Sequence, residues 1–325
     1  MKAVLCRAYG PPESLAIEEV ESPTPGRRQV VVSVRASGVN FPDTLIIQGK
    51  YQFKPPLPFS PGGEVAGIVK EVGSGIEHVK VGDRVIASAA FGGFAEEFVA
   101  DVDTLVPMPD DMDFDTAAAL VMTYGTCLYA LKDRGNLRPG ERLLVLGAAG
   151  GIGLAAIEIG AILGAEVIAA ASTDEKLAVC RQHGAVAAIN YSTEDLKERA
   201  KELTGGNGVD VVLDPVGGDY AEAALRAIAW EGRFLVVGFT AGEIPRIPLN
   251  LTLLKGCSIV GVFWGSFAAR EPQRNQANLQ ELLGWWRDGK LKPHIFARYP
   301  LDRAADALYD IINRKATGKI VLLPE

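Results

Sequence analysis

The chain has 325 residues, of which 48% are apolar and 22% charged, and this ordinary globular composition excludes a largely disordered protein. A chain of this length exceeds the size at which one hydrophobic core stops growing, so two domains are expected. Forty acidic and thirty-three basic side chains give a formal charge of −7, which argues against nucleic acid or an anionic membrane as the main partner.

The cysteines lie far apart and form no CxxC pair, so neither a disulfide framework nor a zinc knuckle is indicated. The N-terminal apolar run is too short for a signal peptide, and no uncharged stretch reaches the ~20 residues that span a bilayer. We therefore expect a soluble, cytoplasmic protein.

Residues 1–110 consist of short β-type runs separated by glycine and proline, which favours a compact β-barrel or sandwich. The predicted strands are 2–6, 29–37, 64–72, 84–87, 94–99 and 104–106. A helix is predicted through 117–133, with either Asp113 or Asp115 as its cap. The long, proline-rich loop 49–63 between two of the strands has a length that is typical of functional loops.

From residue 142 to 263, strand and helix patterns alternate, and the strands are near-continuous in apolar residues, as buried parallel strands are. The predicted strands are 143–147, 166–172, 186–190, 209–214, 233–238 and 258–264. The predicted helices are 151–164, 174–183, 194–203 and 219–229, followed by 273–288 and 302–314. Right-handed crossovers then give an α/β fold with a doubly wound parallel sheet, and the closing strand 319–323 is expected to return to the first domain.

The strongest motif is GAAGGIG at 147–153, which directly follows a predicted strand and directly precedes a helix. That context is typical of a dinucleotide-binding turn, in which backbone N–H groups at the helix N-terminus approach a pyrophosphate. The first glycine of the usual pattern is Ala148 here, and a tight turn without a ligand is the alternative. The predicted cofactor-binding residues of this turn are Ala149, Gly150, Gly151 and Ile152.

The end of the next strand indicates which dinucleotide is bound. An NAD site places a carboxylate there, whereas this strand ends in Ser172 and is followed by Lys176. A hydroxyl and an ammonium suit the 2′-phosphate of NADPH. Asp174 and Glu175 are the alternative ribose ligands, although acids are also favoured in the first turn of a helix.

Across its whole length the sequence resembles the zinc-free NADPH:quinone oxidoreductase (zeta-crystallin-like) branch of the medium-chain dehydrogenase/reductase superfamily. The motifs that carry the resemblance are MKAV, GVNFPD, PGGEVAG, VGDRV, TYGT, GAAGGIG, INY, DPVGG and GKIVLLP. It implies a GroES-like domain formed by residues 1–121 and 265–325, and a Rossmann domain over 122–264.

The resemblance also allows a prediction about metal binding. Zinc-containing relatives carry a catalytic cysteine where this chain has Asn40, and a histidine where it has Gly63. Neither residue can replace a thiolate or an imidazole in a tetrahedral site, so no metal is predicted.

The remaining site residues are implied by the same resemblance. Asn40, Tyr51 and Thr126 correspond to residues at the nicotinamide and substrate, and all three could equally be structural. Asn40 and Thr126 are also predicted to bind the cofactor, together with residues of the strand-end loops and a C-terminal arginine: Tyr191, Val216, Phe239, Thr240, Phe263, Trp264 and Arg314.

The sequence therefore predicts an NADPH-dependent reductase of quinones or related conjugated carbonyls, with the nicotinamide in a cleft between the domains. A 2-enoyl-CoA or enone reductase is the alternative enzyme, and an NADPH-binding crystallin-like or RNA-binding protein is the alternative from another class. Because the apolar strand 257–263 would leave an exposed sheet edge, a homodimer is also expected.

Overall fold

The computed structural model describes residues 1–324. They divide into two compact units, of which the first contains Met1–Met122 and the chain from Ile295 onward, and the second contains Thr123–His294. Within the described residues, no helix is both long enough and apolar enough to cross a membrane.

The first 128 residues contain seven strands and three helices. The strands are β1 (Lys2–Leu5), β2 (Ala16–Glu19), β3 (Gln29–Val39), β4 (Glu64–Val72), β5 (Arg84–Ser88), β6 (Glu97–Asp101) and β7 (Val106–Pro107). The helices are α1 (Phe41–Ile46), α2 (Phe114–Ala118) and α3 (Val121–Leu128), and a π-helical turn over Tyr129–Arg134 continues α3.

The middle of the chain alternates strands and helices as predicted. The strands are β8 (Arg142–Leu146), β9 (Glu166–Ala171), β10 (Ala187–Asn190), β11 (Val209–Asp214), β12 (Ile228–Val236) and β13 (Ser258–Gly261). The helices are α4 (Gly151–Ile162), α5 (Asp174–Gln182), α6 (Leu196–Leu203), α7 (Asp219–Arg226), α8 (Asn250–Lys255), α9 (Trp264–Arg270) and α10 (Pro272–Arg287). The chain ends with β14 (Ile295–Pro300), α11 (Ala304–Ile312) and β15 (Lys319–Leu323).

The second unit is built on a six-stranded parallel sheet in the order β10-β9-β8-β11-β12-β13. Its central strands are fully buried, which explains why they are almost wholly apolar in sequence. The order reverses direction at β8, and ligands bind at the carboxyl ends of the strands beside such a switch point. The predicted α/β class with a doubly wound sheet is confirmed.

The first unit has a seven-stranded sheet in the order β14-β15-β3-β4-β5-β7, with β6 paired to β3 and a separate β1-β2 hairpin. The closing strand β15 pairs antiparallel with β3, as Ile320 opposite Val39 shows. The predicted return of the C-terminus to the N-terminal strands is therefore present in the structure.

One predicted domain boundary is wrong. The sequence assigned residues 265–325 to the first domain, but the second unit extends to His294 and includes α9 and α10. These helices pack within the second unit because Tyr129 stacks on Phe267 with ring centroids 4.0 Å apart, and because Asp133 accepts a hydrogen bond from Asn278 at 2.7 Å.

Some predicted elements also differ. The single helix through 117–133 is divided into α2, α3 and the π-helical turn, and Asp113 rather than Asp115 caps α2 by accepting from the Thr116 N–H at 2.7 Å. The predicted strand 258–264 ends at Gly261, and Trp264 begins α9 instead.

Candidate cofactor-binding and catalytic site

The glycine-rich turn joins β8 to α4, and two glycines make the turn possible. Gly147 has a φ of 57°, which side chains rarely adopt. A Cβ on Gly153 would lie 2.3 Å from the carbonyl oxygen of Ala148, so only glycine allows the helix this close to the strand. The first turn of α4 is consequently held at the carboxyl end of the central strand.

The same turn fits an anionic group. Gly150 is the N-cap and supplies no side-chain acceptor for the first N–H groups of α4. A Cβ built on Gly150 would meet only the Gly147 carbonyl oxygen, at 3.5 Å, so there is open space beside it. Backbone donors, the helix dipole and this space suit a pyrophosphate. Ala149, Gly151 and Ile152 complete the turn, and since Ala149 is buried it can offer only backbone atoms.

The segments that follow the neighbouring strands β9 and β10 contain Ser172, Lys176 and Tyr191. Tyr191 follows the neighbouring strand β10, its N–H donates to Ala171 at 3.1 Å, and its ring lies 4.3 Å from that of Tyr220. Lys176 lies in the first turn of α5, where its N–H donates to the capping Thr173 hydroxyl at 3.3 Å.

The two carboxylates that could have indicated an NAD site both already accept hydrogen bonds. Asp174 accepts a hydrogen bond from the Asn190 side chain at 2.9 Å. The pKa of Glu175 is lowered by hydrogen bonds from its own backbone N–H and from the Thr173 hydroxyl, which place this carboxylate over the start of its helix. Each has the ordinary role of an acid in a first helical turn.

The loops after β11 and β12 are tied together at the same sheet edge. Asp214 is buried and accepts from the N–H groups of Val216 and Gly217 at 2.7 and 2.8 Å. Burial raises the pKa of Asp214, and these two bonds oppose that rise. The N–H of Thr240, next to Phe239, donates to Pro215 at 3.1 Å, so both loops with predicted cofactor residues form one surface.

Three other predicted residues have different surroundings. Phe263 is exposed, whereas Trp264 is buried, and its indole N–H donates to Asn275 at 3.0 Å. Thr126 is half-buried in α3. A Cβ added to the preceding residue, Gly125, would lie 3.0 Å from the Trp264 indole nitrogen. The indole N–H of Trp264 is therefore used within the fold.

The first unit contains three of the predicted residues: Asn40, Tyr51 and Arg314. Arg314 follows α11 with a left-handed φ of 56°. Tyr51 is half-buried, and within residues 1–324 its hydroxyl has no hydrogen-bond partner. Burial and the nearby Asp43 raise its pKa, which keeps the hydroxyl protonated and able to donate.

Asn40 lies in a fully buried polar cluster with two residues that the sequence did not identify as a group. Lys319 donates to the Asn40 side-chain oxygen at 2.6 Å and to Glu64 Oε2 at 3.2 Å. Asn40 Nδ2 donates to the same Glu64 oxygen at 3.2 Å, and Glu64 Oε1 accepts from the Met122 N–H at 2.7 Å. No local pattern could reveal this cluster, because Lys319 is 255 residues from Glu64.

The residues present do not fit zinc. The position of the cysteine ligand in zinc-containing relatives is occupied by Asn40, and the neighbouring carboxylate of Glu64 already binds the buried ammonium of Lys319. Among the described residues, no three histidine, cysteine, aspartate or glutamate side chains converge to hold a metal ion. A dication at Glu64 would have to displace a buried positive charge.

Asp43 supports the backbone beside Asn40. Its carboxylate accepts from the N–H of Asn40 at 2.8 Å and from that of Gly62 at 3.2 Å. It is almost fully buried, and burial raises its pKa to about 7 in spite of these bonds. Asp43 thus joins the start of α1 to the segment that leads into β4.

Two family models match the chain. Residues 26–110 match the alcohol dehydrogenase GroES-like domain, and residues 151–283 match a model described as zinc-binding dehydrogenase. The zinc in that description is not reflected in the residues around Asn40.

Individual relatives match over nearly the whole chain. A quinone oxidoreductase-like protein 2 homolog from Nematostella vectensis is 43% identical over 99% of this chain and 88% of its own length. The Pseudomonas aeruginosa quinone oxidoreductase is 38% identical over 99% of both chains. Among solved structures, the Escherichia coli quinone oxidoreductase complexed with NADPH is 32% identical over 100% of both chains, with a TM-score of 0.94.

The raised pKa of Asp43 predicts a pH-dependent stability. Between the usual pKa of about 4 and the folded value of about 7, the folded state holds a proton that the unfolded state releases. Stability from this group is therefore greatest at low pH and falls by about 1.4 kcal/mol per pH unit as the pH rises through this window. We expect denaturant unfolding to show this loss in the wild type, and a smaller one in Asp43→Asn. Asp111→Asn, at an exposed position, should behave as the wild type, and equal slopes in all three proteins would contradict the assignment.

Proposed function

The chain belongs to the quinone oxidoreductase branch of the medium-chain dehydrogenase/reductase superfamily, and on this premise we propose that it is an NADPH-dependent reductase. Its acceptors are quinones or related conjugated carbonyls, and zinc takes no part. NADPH supplies a hydride, and the residues of this chain bind the nucleotide, orient the reactants and exclude water.

The choice of NADPH rests on the residues at the end of β9. Ser172 and Lys176 are present there, while Asp174 is hydrogen-bonded to Asn190 and Glu175 covers its own helix start. A ribose 2′-hydroxyl would therefore meet carboxylates that already accept hydrogen bonds, whereas a 2′-phosphate would meet an ammonium. The NADPH complex of the Escherichia coli relative supports the same cofactor for this chain.

The choice of acceptor rests on the residues around Asn40, whose donor set does not fit a zinc ion. An alcohol needs a Lewis acid or a strong base for oxidation, and the buried ammonium of Lys319 provides neither. A quinone is already electrophilic, so it needs only to be held and protonated. The hydroxyl of Tyr51, which is half-buried and protonated, is the donor that we assign to the acceptor carbonyl.

A homodimer is part of the proposal. Strand β13 is the edge of the parallel sheet, and exposed apolar side chains lie on it, on the adjacent strand β12 and on the preceding segment with α8. These residues, which we call the edge patch, are Trp230, Leu249, Leu253, Leu254 and Ile259. Pairing of two such edges about a two-fold axis would cover both the strand and the patch.

A cytoplasmic location is also proposed. All four cysteines are buried and unpaired, as is usual for proteins of a reducing compartment.

The function is tested by steady-state oxidation of NADPH with a panel of ortho- and para-quinones, simple enones and crotonyl-CoA. We expect turnover with quinones, and we expect it to survive prolonged treatment with a strong chelator because the proposed site uses no metal. Turnover with crotonyl-CoA alone would favour an enoyl-CoA reductase. Binding of NADPH without turnover of any acceptor would favour a non-enzymatic role.

Cofactor choice is tested by changing the two residues after β9. A charge-assisted hydrogen bond contributes roughly 1.5–3 kcal/mol, so Lys176→Ala should weaken NADPH about 10- to 150-fold and leave NADH almost unchanged. Ser172→Asp should weaken NADPH further and improve NADH, because a carboxylate repels the phosphate and accepts from ribose hydroxyls.

The measurement is the dissociation constant of each nucleotide, with Lys197→Ala, on the neighbouring helix α6, as the matched control. If the wild type binds NADH as tightly as NADPH, Asp174 or Glu175 holds the ribose and the assignment is wrong.

Assembly is tested by light scattering at micromolar concentration. The expected mass is twice the 34.6 kDa of the chain. Leu253→Glu places a charge at the most exposed residue of the edge patch and should shift the protein to a monomer, whereas Val186→Glu, at another exposed apolar position, should not. A wild-type mass equal to one chain would contradict the dimer.

A further inference from the structure

The buried cluster of Asn40, Glu64 and Lys319 lies at the proposed catalytic asparagine and has no part in the function as described so far. The three side chains are 6%, 0% and 4% exposed. They come from the N-cap of α1, the first residue of β4 and the first residue of β15. Three separate segments of the first unit therefore contribute one polar group each to the same buried point.

The hydrogen bonds of this cluster determine the orientation of the Asn40 amide. An ammonium can only donate, so the Asn40 atom 2.6 Å from Lys319 Nζ must be the oxygen. The other amide atom lies 3.2 Å from Glu64 Oε2 and 3.3 Å from the carbonyl oxygen of Gly38, both of which only accept. That atom must be the nitrogen, and both of its hydrogens are used.

Little of the hydrogen-bonding capacity of the cluster remains. Lys319 uses its three donors on Asn40, Glu64 and, at 3.3 Å, the carbonyl oxygen of Val39. The Asn40 side-chain oxygen also faces the Asp43 N–H in the capping box of α1, and Asn40 has no free N–H. A ligand group that meets Asn40 must therefore be a donor, such as the carboxamide NH2 group of nicotinamide.

We propose that Lys319 is a positioning residue that, together with Glu64, holds Asn40 as a hydrogen-bond acceptor directed at donor groups of the cofactor. The proposal rests on the proposed function, and it divides the work between the predicted catalytic residues. A quinone carbonyl only accepts, so Asn40 cannot bind it, and the donor to the acceptor must be a hydroxyl, the role that we assign to Tyr51.

Removal of Lys319 alone is a poor test, because it leaves Glu64 as a buried and unpaired charge, which is strongly destabilising. The double variant Lys319→Met/Glu64→Gln removes both charges and nearly preserves volume. The oxygen of the new glutamine is needed by the Met122 N–H, so its NH2 group would face Asn40. Asn40 then loses its single orientation, because a flip gains the glutamine NH2 group but sets the Asn40 oxygen against the Gly38 carbonyl oxygen, and its acceptor is no longer held toward the ligand.

The matched control is Lys70→Met/Glu97→Gln, which removes a Lys–Glu pair of the same unit that is 2.6 Å apart and more exposed. We expect the Lys319/Glu64 double variant to lose about 100-fold in kcat, the scale of loss for a small misplacement of a reacting group. Its affinity for NADPH should fall, whereas its affinity for 2′-phospho-ADP-ribose, which lacks nicotinamide, should stay unchanged. The control should match the wild type throughout.

Kinetics and affinities equal to the wild type in the double variant would overturn the proposal. So would equal losses for NADPH and for the fragment without nicotinamide, since these would indicate only a general structural role.

Should the double variant not fold, nuclear Overhauser contacts in the wild type decide the question. The Asn40 side-chain amide protons are expected beside the Gly38 Hα atoms, and contacts to the Lys319 Hε protons instead would contradict the assigned orientation. Neither this experiment nor the binding measurements need turnover. Failure of wild-type quinone reduction would therefore reject the proposed function without deciding the role of Lys319.

Discussion

The approach of α4 to β8 is the constraint on which the second unit depends. A side chain at Gly153 would collide with the Ala148 carbonyl oxygen, so this residue decides how near the helix N-terminus lies to the strand end. Because β8 is also the strand at which the sheet order reverses, the uncapped N–H groups of α4 face the crevice of the sheet. The loops of β9, β11 and β12 end at the same edge, where they can contact whatever is bound there.

The first unit must balance the charges and hydrogen bonds of polar side chains that are buried inside a β-rich core. It does so with an internal cation. Lys319 neutralises Glu64 and satisfies the Asn40 oxygen, so all three side chains are buried with their charges and hydrogen bonds balanced. Where zinc-containing relatives use a metal and its ligands, this chain uses an ammonium, which can orient an amide but cannot polarise an alcohol.

The parts of the structure that could be predicted are those with a local signal. Two such signals lie within a few residues each: the apolar runs of β8, β9 and β11, and the glycines between β8 and α4. The first correctly indicated buried strands, and the second correctly indicated a strand-to-helix turn. The extent of the second unit was not predicted correctly. The amphipathic pattern of a helix such as α10 indicates that one face is buried, but it does not indicate which unit that face packs against. The pairing of Lys319 with Glu64 and the bond from Asn190 to Asp174 join distant segments, and only the folded chain displays them.

In the proposed reaction a hydride passes from the nicotinamide of NADPH to a quinone held in the protein. Single-turnover oxidation of NADPH by a 1,4-naphthoquinone tests it directly, when the two C4 hydrogens are replaced by deuterium one at a time. One of the two labelled cofactors is expected to react more slowly than unlabelled NADPH, because a single C4–H bond breaks during transfer in a site that holds the cofactor in one orientation. Equal rates for both labelled forms and the unlabelled cofactor, in a reaction limited by the chemical step, would contradict it.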